Sequence, residues 1–559
     1  MSNRNRLAAV GVLSAALSAC GGGGASIGPS PQTVPSPGSP GSSVSPAPSR
    51  SPGSAPSASP SASPRAGASA QPGSSASPGA SPAPVSSAPA AAMTCPVPLV
   101  PAGAVGPPAD SPGNSPVGKI KHIVIIVQEN RTFDNLFHGF SEPSGAKADA
   151  ATYGCDTSGT PHLLASVPFE NLYGASNGHQ AEVADYDNGK NDGFYTQNAS
   201  SGTNASNDGN NSLAYLPQTE VQPYFDLATS GALAERFFES VTAPTYPSHM
   251  MYLAASSTYD NNPAHRVIDN PANGFGCQDT TQTDTVNVLD TDDPNAKPIF
   301  PCYAGVTNII DELDAAGRTW HYYSFPVTVP GAITPGATEE ANSGLDLNAV
   351  PSYLQTFRRP DFTTNDVTPS ERVLTDVASG TLEDVTWVTP DNANSDHPAE
   401  STAAGPAWVA SVVNAVGTSP FYASTAIFVT WDDFGGWYDH VPPPQKYPPY
   451  GLSMRSALIA ISPYARRARL IDTQLEPGSL VKFIEETFGL PSLGREDATA
   501  NSVDDMFDFA QAPTAFTPIS TAAVRRYPAA YFLHQKHRGG VLDDDMLGPH
   551  GPERRFATP

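Results

Sequence analysis

The sequence predicts an α/β domain with a mostly parallel central sheet flanked by helices. Nearly continuous apolar runs of strand length recur between residues 121 and 462, as expected of strands buried on both faces. Amphipathic stretches of helix length alternate with them, and two of these close on a glycine. Three of the runs also lead into acids or amides, and the carboxyl ends of parallel strands are where an open α/β sheet binds its ligands.

Taken in order, Lys121–Val127 (KHIVIIV) reads as a central strand and runs into Glu129-Asn130. Pro244-Thr245-Tyr246-Pro247-Ser248-His249 is a hydroxyl-bearing turn. It leads into a helix over about Ser248–Ala255, because proline favours the first helical position. Thr307–Gly317 reads as a helix closed by Gly317, followed by a strand at Trp320–Phe325. Val385–Val388 is a strand running into Asp391 and then Asp396-His397, and Trp408–Val416 is helical. Ala426–Val429 is a strand that runs into Asp432-Asp433. Ser456–Ser462 is a further strand, and Ser479–Phe488 a helix closed by Gly489. Residues 174–212 and 269–298, rich in Asn, Asp, Gly and Thr, read as long surface loops. Beyond about 500 no periodicity places the chain.

The front of the chain reads as a targeting device. Arg4 and Arg6 precede an apolar run, Leu7–Leu17. The run is shorter than the roughly 20 residues a membrane span needs, but it suits a signal peptide. It ends Leu17-Ser18-Ala19-Cys20, the pattern of a bacterial lipobox whose cysteine is acylated. Residues 1–20 are therefore expected to be a lipoprotein signal peptide. Residues 21–93, almost wholly Ser, Pro, Ala and Gly, are expected to be a disordered tether, since they cannot bury enough apolar surface to offset their ordering entropy. The expected location is the cell envelope, lipid-anchored on the periplasmic or cell-surface face.

Residues 1–93 hold four basic residues and no acids, which leaves 25 basic against 54 acidic residues beyond them, a net charge of −29. A field of that sign disfavours nucleic acid as a partner. Apart from Cys20 there are four cysteines, an even number suited to an oxidising compartment. Of the three pairings open to them, Cys277 with Cys302 and Cys95 with Cys155 are favoured, each closing a Gly/Pro/Asp-rich loop.

Five segments in chain order resemble a known family: ENRTFDNLFHGF from Glu129, DNGKNDGF at Asp187–Phe194, APTYPSHMMYLAASS at Ala243–Ser257, PDNANSDHP at Pro390–Pro398 and TWDDFGGWYDHVPPP at Thr430–Pro444. Over roughly residues 118–500 the chain is similar to the bacterial phosphoesterases. That family holds phosphatidylcholine-type phospholipases C and related acid phosphatases, within the alkaline phosphatase superfamily. The resemblance implies an alkaline-phosphatase-like fold, with residues 94–500 as the catalytic domain and 501–559 as an extension without assignment.

It also implies a single divalent metal held by Glu129, Asn130, Asp432 and Asp433. Oxygen ligands suit Ca²⁺, Mg²⁺ or Mn²⁺, and carboxylates also bind Zn²⁺. Thr245 is then both nucleophile and metal ligand, with the helix after it aiming backbone N–H groups at the phosphate. The family usually has Asn after this proline; here Ser248 stands there, so a phosphate-orienting amide is missing unless the Ser248 hydroxyl substitutes for it, and Ser248 is also the backup nucleophile. His397, His179 and His440 match histidines that transfer protons or bind phosphoryl oxygens, which suits the ordinary histidine pKa. His249, His321 and His138 receive no role, and Arg131 suits a local acid as well as a phosphate.

The expected activity is hydrolysis of phosphate mono- or diesters through a phosphothreonine, of acid-phosphatase or phospholipase C type, on a phosphate ester or a phospholipid. With no lid or amphipathic arm visible for acyl chains, the balance leans slightly to a broad phosphatase. The alternative is a non-catalytic surface binding or adhesion lipoprotein that kept the fold.

Overall fold

The structure is a computed structural model. It describes Cys95, residues 114–169, 176–195, 212–258, 260–270 with single gaps, three short strands between 283 and 301, then 306–324, 362–367, 369–390, 394–397, 404–444 and 452–521. All of these lie in the compact unit Ser87–Pro559. The signal peptide, Cys20, the tether, Cys277 and Cys302 fall outside the described residues. Cys95 and Cys155 are joined by a disulfide.

Eight strands form the main sheet: β1 (His122–Gln128), β2 (Ala232–Phe238), β3 (Trp320–Tyr323), β4 (Asp366–Val367), β5 (Val385–Val388), β6 (Thr425–Trp431), β7 (Arg455–Ile461) and β8 (Arg469–Ile471). They lie in the order β4-β3-β5-β1-β6-β7-β2-β8. Only β7 runs antiparallel to its neighbours; the other pairs are parallel. This is a mostly parallel α/β sheet, and β1 and β6 at its centre pair over seven residues.

The helices that cover it are α3 (Gln218–Ser230), α4 (Thr245–Ala254), α5 (Ile309–Ala315), α6 (Arg372–Ser379), α7 (Gly405–Gly417) and α8 (Pro477–Phe488), preceded in the chain by the shorter α1 (Phe133–Phe137) and α2 (His179–Tyr186). Alternation along β1 sorts the core into two layers. Ile123, Ile125 and Val127 join one cluster with Met250 of α4, Ile309 and Leu313 of α5, and Leu480 and Phe483 of α8. Val124 and Ile126 join another with Tyr224 of α3, Val373 of α6, and Val409 and Val412 of α7. Burying one such side chain contributes roughly 1.5–3 kcal/mol, so a strand apolar on both faces is held twice over.

Local signals set the helix ends. Asn308 caps α5 in a reciprocal box with Asp311, and Pro477 opens α8, which ends on Gly489 in the left-handed region. Two readings need correction. Within 174–212, α2 replaces the expected loop; its buried face carries Glu182 and Asp185 in place of aliphatic residues, so composition hid it. Short strands at Thr283–Thr285 and Val288–Asp290 likewise interrupt 269–298. The core also continues past 500: Val503, Met506 and Phe507 are buried, and Phe507 stacks on Phe483 of α8 at 5.4 Å.

Candidate active site

Two turns at the carboxyl ends of β1 and β6 interlock. Asn130 follows β1 with φ at +59°, a left-handed conformation that asparagine tolerates better than most residues. This turns its N–H to donate to Asp432 Oδ1 (2.8 Å), while its side-chain Nδ2 donates to Asp433 Oδ1 (3.0 Å). The opposing turn needs Gly435. Its φ is +60°, and a Cβ there would lie 2.4 Å from the Asn130 carbonyl oxygen. Gly435 N–H donates to Asp433 Oδ1 (2.7 Å), and Asn177 Nδ2 approaches the same oxygen (3.2 Å). Asp433 is thus held by three donors, and both turns are buried.

Thr245 is the first residue of α4, so the helix starts three residues earlier than the proline signal suggests. Its Oγ1 donates to Glu129 Oε2 (3.2 Å). The expected row of helix N–H donors is largely absent. Tyr246 N–H is taken by Asn270 Oδ1 (3.0 Å), and Pro247 has none. The Ser248 hydroxyl donates to the Ala243 carbonyl oxygen (3.3 Å), inside the turn.

One turn further along α4, His249 Nε2 faces Glu129 Oε1 at 3.4 Å and Asp432 Oδ2 at 3.6 Å. All three residues are almost wholly buried, and none of the three atoms has a hydrogen bond. Burial, and after it the Asp432 carboxylate, pushes the Glu129 carboxyl up. Burial also opposes ionisation of Asp432, but His249 outweighs it and holds that acid low. Burial works against a charged His249, yet Asp432 and Glu129 raise its pKa to about 9. Two carboxylates converging in a buried space are costly without a cation between them. The Glu129 and Asp432 carboxylates therefore fit a divalent metal ion; the Thr245 hydroxyl touches the first, and Asn130 ties the second to Asp433.

His397 is buried, and its charge lowers the Glu129 pKa, so it belongs to the same neighbourhood. The preceding residue, Asp396, is anchored: its Oδ2 accepts from Tyr224 Oη (2.6 Å) and Trp431 Nε1 (2.8 Å). Burial still pushes Asp396 up to about 6. Arg131 is held against the Asp396 segment. It donates through Nε to the Asp396 carbonyl oxygen (2.9 Å) and lies over Trp437 and Phe169.

His179 opens α2, with Nδ1 on the Thr242 carbonyl oxygen (2.6 Å) in the loop that carries Thr245. Nδ1 therefore holds the proton and Nε2 is the atom left for proton transfer. Burial lowers its pKa.

His440 is placed elsewhere. Nδ1 bonds Asp134 Oδ2 (2.8 Å) and Nε2 bonds Asp149 Oδ1 (3.1 Å), so both nitrogens are committed. Arg455 completes that cluster, with Nε on Asp439 Oδ1 (2.9 Å) and Nη2 on Asp134 Oδ1 (3.0 Å). His321 and His138 are likewise remote: His321 Nδ1 lies 3.2 Å from Tyr323 Oη, and His138 Nδ1 bonds the Ala151 carbonyl oxygen.

Comparison with known proteins adds relatives. The chain is 24% identical over 429 residues to the non-hemolytic phospholipase C of Burkholderia pseudomallei, covering 67% of this chain and 57% of that protein. It is 23% identical over 450 residues to phospholipase C A of Mycobacterium tuberculosis, covering 71% and 79%. The chain thus spans little more than half of the Burkholderia protein. Among solved structures, Ps i-CgsB in complex with k-i-k-neocarrahexaose is 9% identical with a TM-score of 0.33, covering 69% of this chain and 75% of that one. The phosphonate monoester hydrolase of Silicibacter pomeroyi is 13% identical with a TM-score of 0.28, covering 53% and 73%. Both superpose weakly, so the fold assignment rests on the sheet described above. The profile of the Phosphoesterase family matches residues 120–491, two thirds of the 559 residues, and the chain belongs to that family.

Proposed function

We propose that the chain is an exported, lipid-anchored phosphoric ester hydrolase. It depends on one divalent metal ion and works through a phosphothreonine at Thr245. The observation that carries this reading is the Thr245 hydroxyl, donating to Glu129 Oε2 (3.2 Å), whose carboxylate converges with that of Asp432. Phospholipids and related phosphodiesters are the substrate class we favour over the broad phosphatase range. The relatives named phospholipase C support that choice. A binding module that had lost its chemistry would not need this hydroxyl and these acids in one buried place.

Glu129, Asn130, Asp432, Asp433 and Thr245 would hold the metal. When bound, it acts as a Lewis acid that neutralises phosphoryl charge and makes the threonine hydroxyl more acidic. In the first step Thr245 Oγ1 bonds to phosphorus and the bond to the leaving oxygen breaks. Glu129 Oε2 takes the threonine proton along the existing hydrogen bond, and His397 protonates the leaving alkoxide. In the second step water attacks phosphorus and the Oγ1–phosphorus bond breaks. The proton of water passes to His179 Nε2, which the lowered pKa keeps unprotonated at neutral pH. Glu129 returns the proton to Thr245, and exchange with solvent water removes the proton from His179 and restores one to His397. In this scheme His440 is a positioning residue.

Rapid acid quench with a labelled aryl phosphate tests the reading. Label should be trapped on the peptide containing Thr245, and Thr245→Ala should lose turnover by on the order of 10⁴-fold or more. Trapping on Ser248 would move the nucleophile. Turnover with no trapped phosphate and inversion at phosphorus would overturn the two-step scheme.

A further inference from the structure

We propose that His249 Nε2 is a direct ligand of the metal held by Glu129 and Asp432, so that the site prefers a borderline transition cation of the zinc type over Ca²⁺ or Mg²⁺. The inference rests on the metal-dependent reading above and adds to the all-oxygen set that the motifs imply.

Three orphaned atoms carry it: Glu129 Oε1, Asp432 Oδ2 and His249 Nε2. Each belongs to a residue at most 3% exposed. The separations from Nε2, 3.4 and 3.6 Å, are too long for charge-assisted hydrogen bonds, which run at about 2.7–2.9 Å. One N–H shared between both carboxylates would make two long, weak bonds. Two ligands each about 2.1 Å from a common ion, at the tetrahedral angle, lie about 3.4 Å apart. The separations therefore match ligands arranged around one ion.

The helix explains why the ring is there. His249 follows Thr245 by four residues on α4, so both side chains leave the same face toward the same carboxylates. Imidazole favours zinc, iron and related cations, whereas oxygen-only sets suit Ca²⁺ and Mg²⁺. One nitrogen ligand is thus enough to tilt the selectivity.

Pulsed EPR of the full chain, stripped with chelator and loaded with Mn²⁺, is the test, with Zn²⁺/Ca²⁺ competition alongside. The wild type should show nitrogen hyperfine coupling from one imidazole. His249→Gln should lose that coupling at matched Mn²⁺ occupancy, and its preference for Zn²⁺ over Ca²⁺ should fall at least about tenfold. If His249→Gln does not fold, His397→Gln and His179→Gln replace it. The coupling survives in both if His249 is the ligand, and its loss in either overturns the assignment. One Mn²⁺ per chain without nitrogen coupling would overturn this inference and leave the oxygen site standing. A wild type that binds neither Mn²⁺ nor Zn²⁺ would overturn both.

Discussion

Asn130 shows how one backbone conformation assembles several donors. Its left-handed turn lets a single residue address Asp432 through the main chain and Asp433 through the side chain. Gly435 closes against its carbonyl. Gly435→Ala should therefore act on the site as well as on the fold. The left-handed conformation alone costs an alanine roughly 1–2 kcal/mol, and the added methyl must displace the Asn130 carbonyl. We expect a lower melting temperature and weaker metal binding by calorimetry. A variant that loses stability but keeps its metal affinity would show that the two turns are not coupled. The acid and amide pairs could be read from the sequence because they sit next to strands with an unmistakable apolar signature. His249 could not, because a lone histidine before Met250-Met251 looks like core. The available signal was its four-residue spacing from Thr245, which only becomes meaningful once the helix is known to begin at Thr245.

At the scale of elements, the central strands were legible because burial on both faces leaves no polar alternation to misread. Val385–Val388 falls where its composition puts it, and β1 and β6 differ from expectation only at their ends. β2 and α3 carry a weaker signal: Glu235-Arg236 interrupts the apolar run of β2, and Pro223 sits inside α3, two residues after a distorted Val221. The His440 cluster joins three elements, tying the turn after β6 to α1 through Asp134 and to β7 through Arg455. Burial works against a charged His440, but Asp134 and Asp149 outweigh it and hold its pKa at about 10. A histidine raised above its unfolded value of roughly 6.5 adds stability that is fully present below that pH and is lost as pH rises toward about 10. Urea unfolding between those limits should show the wild type losing on the order of 1–3 kcal/mol more than His440→Asn. Equal losses would mean that the ring is neutral in the folded chain.

At the scale of the whole chain, the proposed anchor and the acidic domain act on different steps. Fatty-acid labelling should mark the wild type and not Cys20→Ser, and the variant should leave the membrane fraction; a labelled variant would remove the anchor. The net charge of −29 beyond residue 93 acts instead on encounter. A field of that sign repels an approaching dianion before the buried cation site can attract it. Raising the ionic strength from about 0.01 M to 0.15 M shortens the screening length from about 30 Å to 8 Å, which weakens the distant charges and spares the contacts inside the site. kcat/KM for a dianionic aryl phosphate should then rise several-fold, by roughly 1 kcal/mol or less of barrier. A zwitterionic phosphocholine ester carries no net charge for the field to act on, so its kcat/KM should stay within about twofold. Measuring the two esters on one enzyme preparation cancels any effect of salt on the fold. A fall in kcat/KM for the dianion would mean that the local field of the site reaches past the surface charge and governs capture.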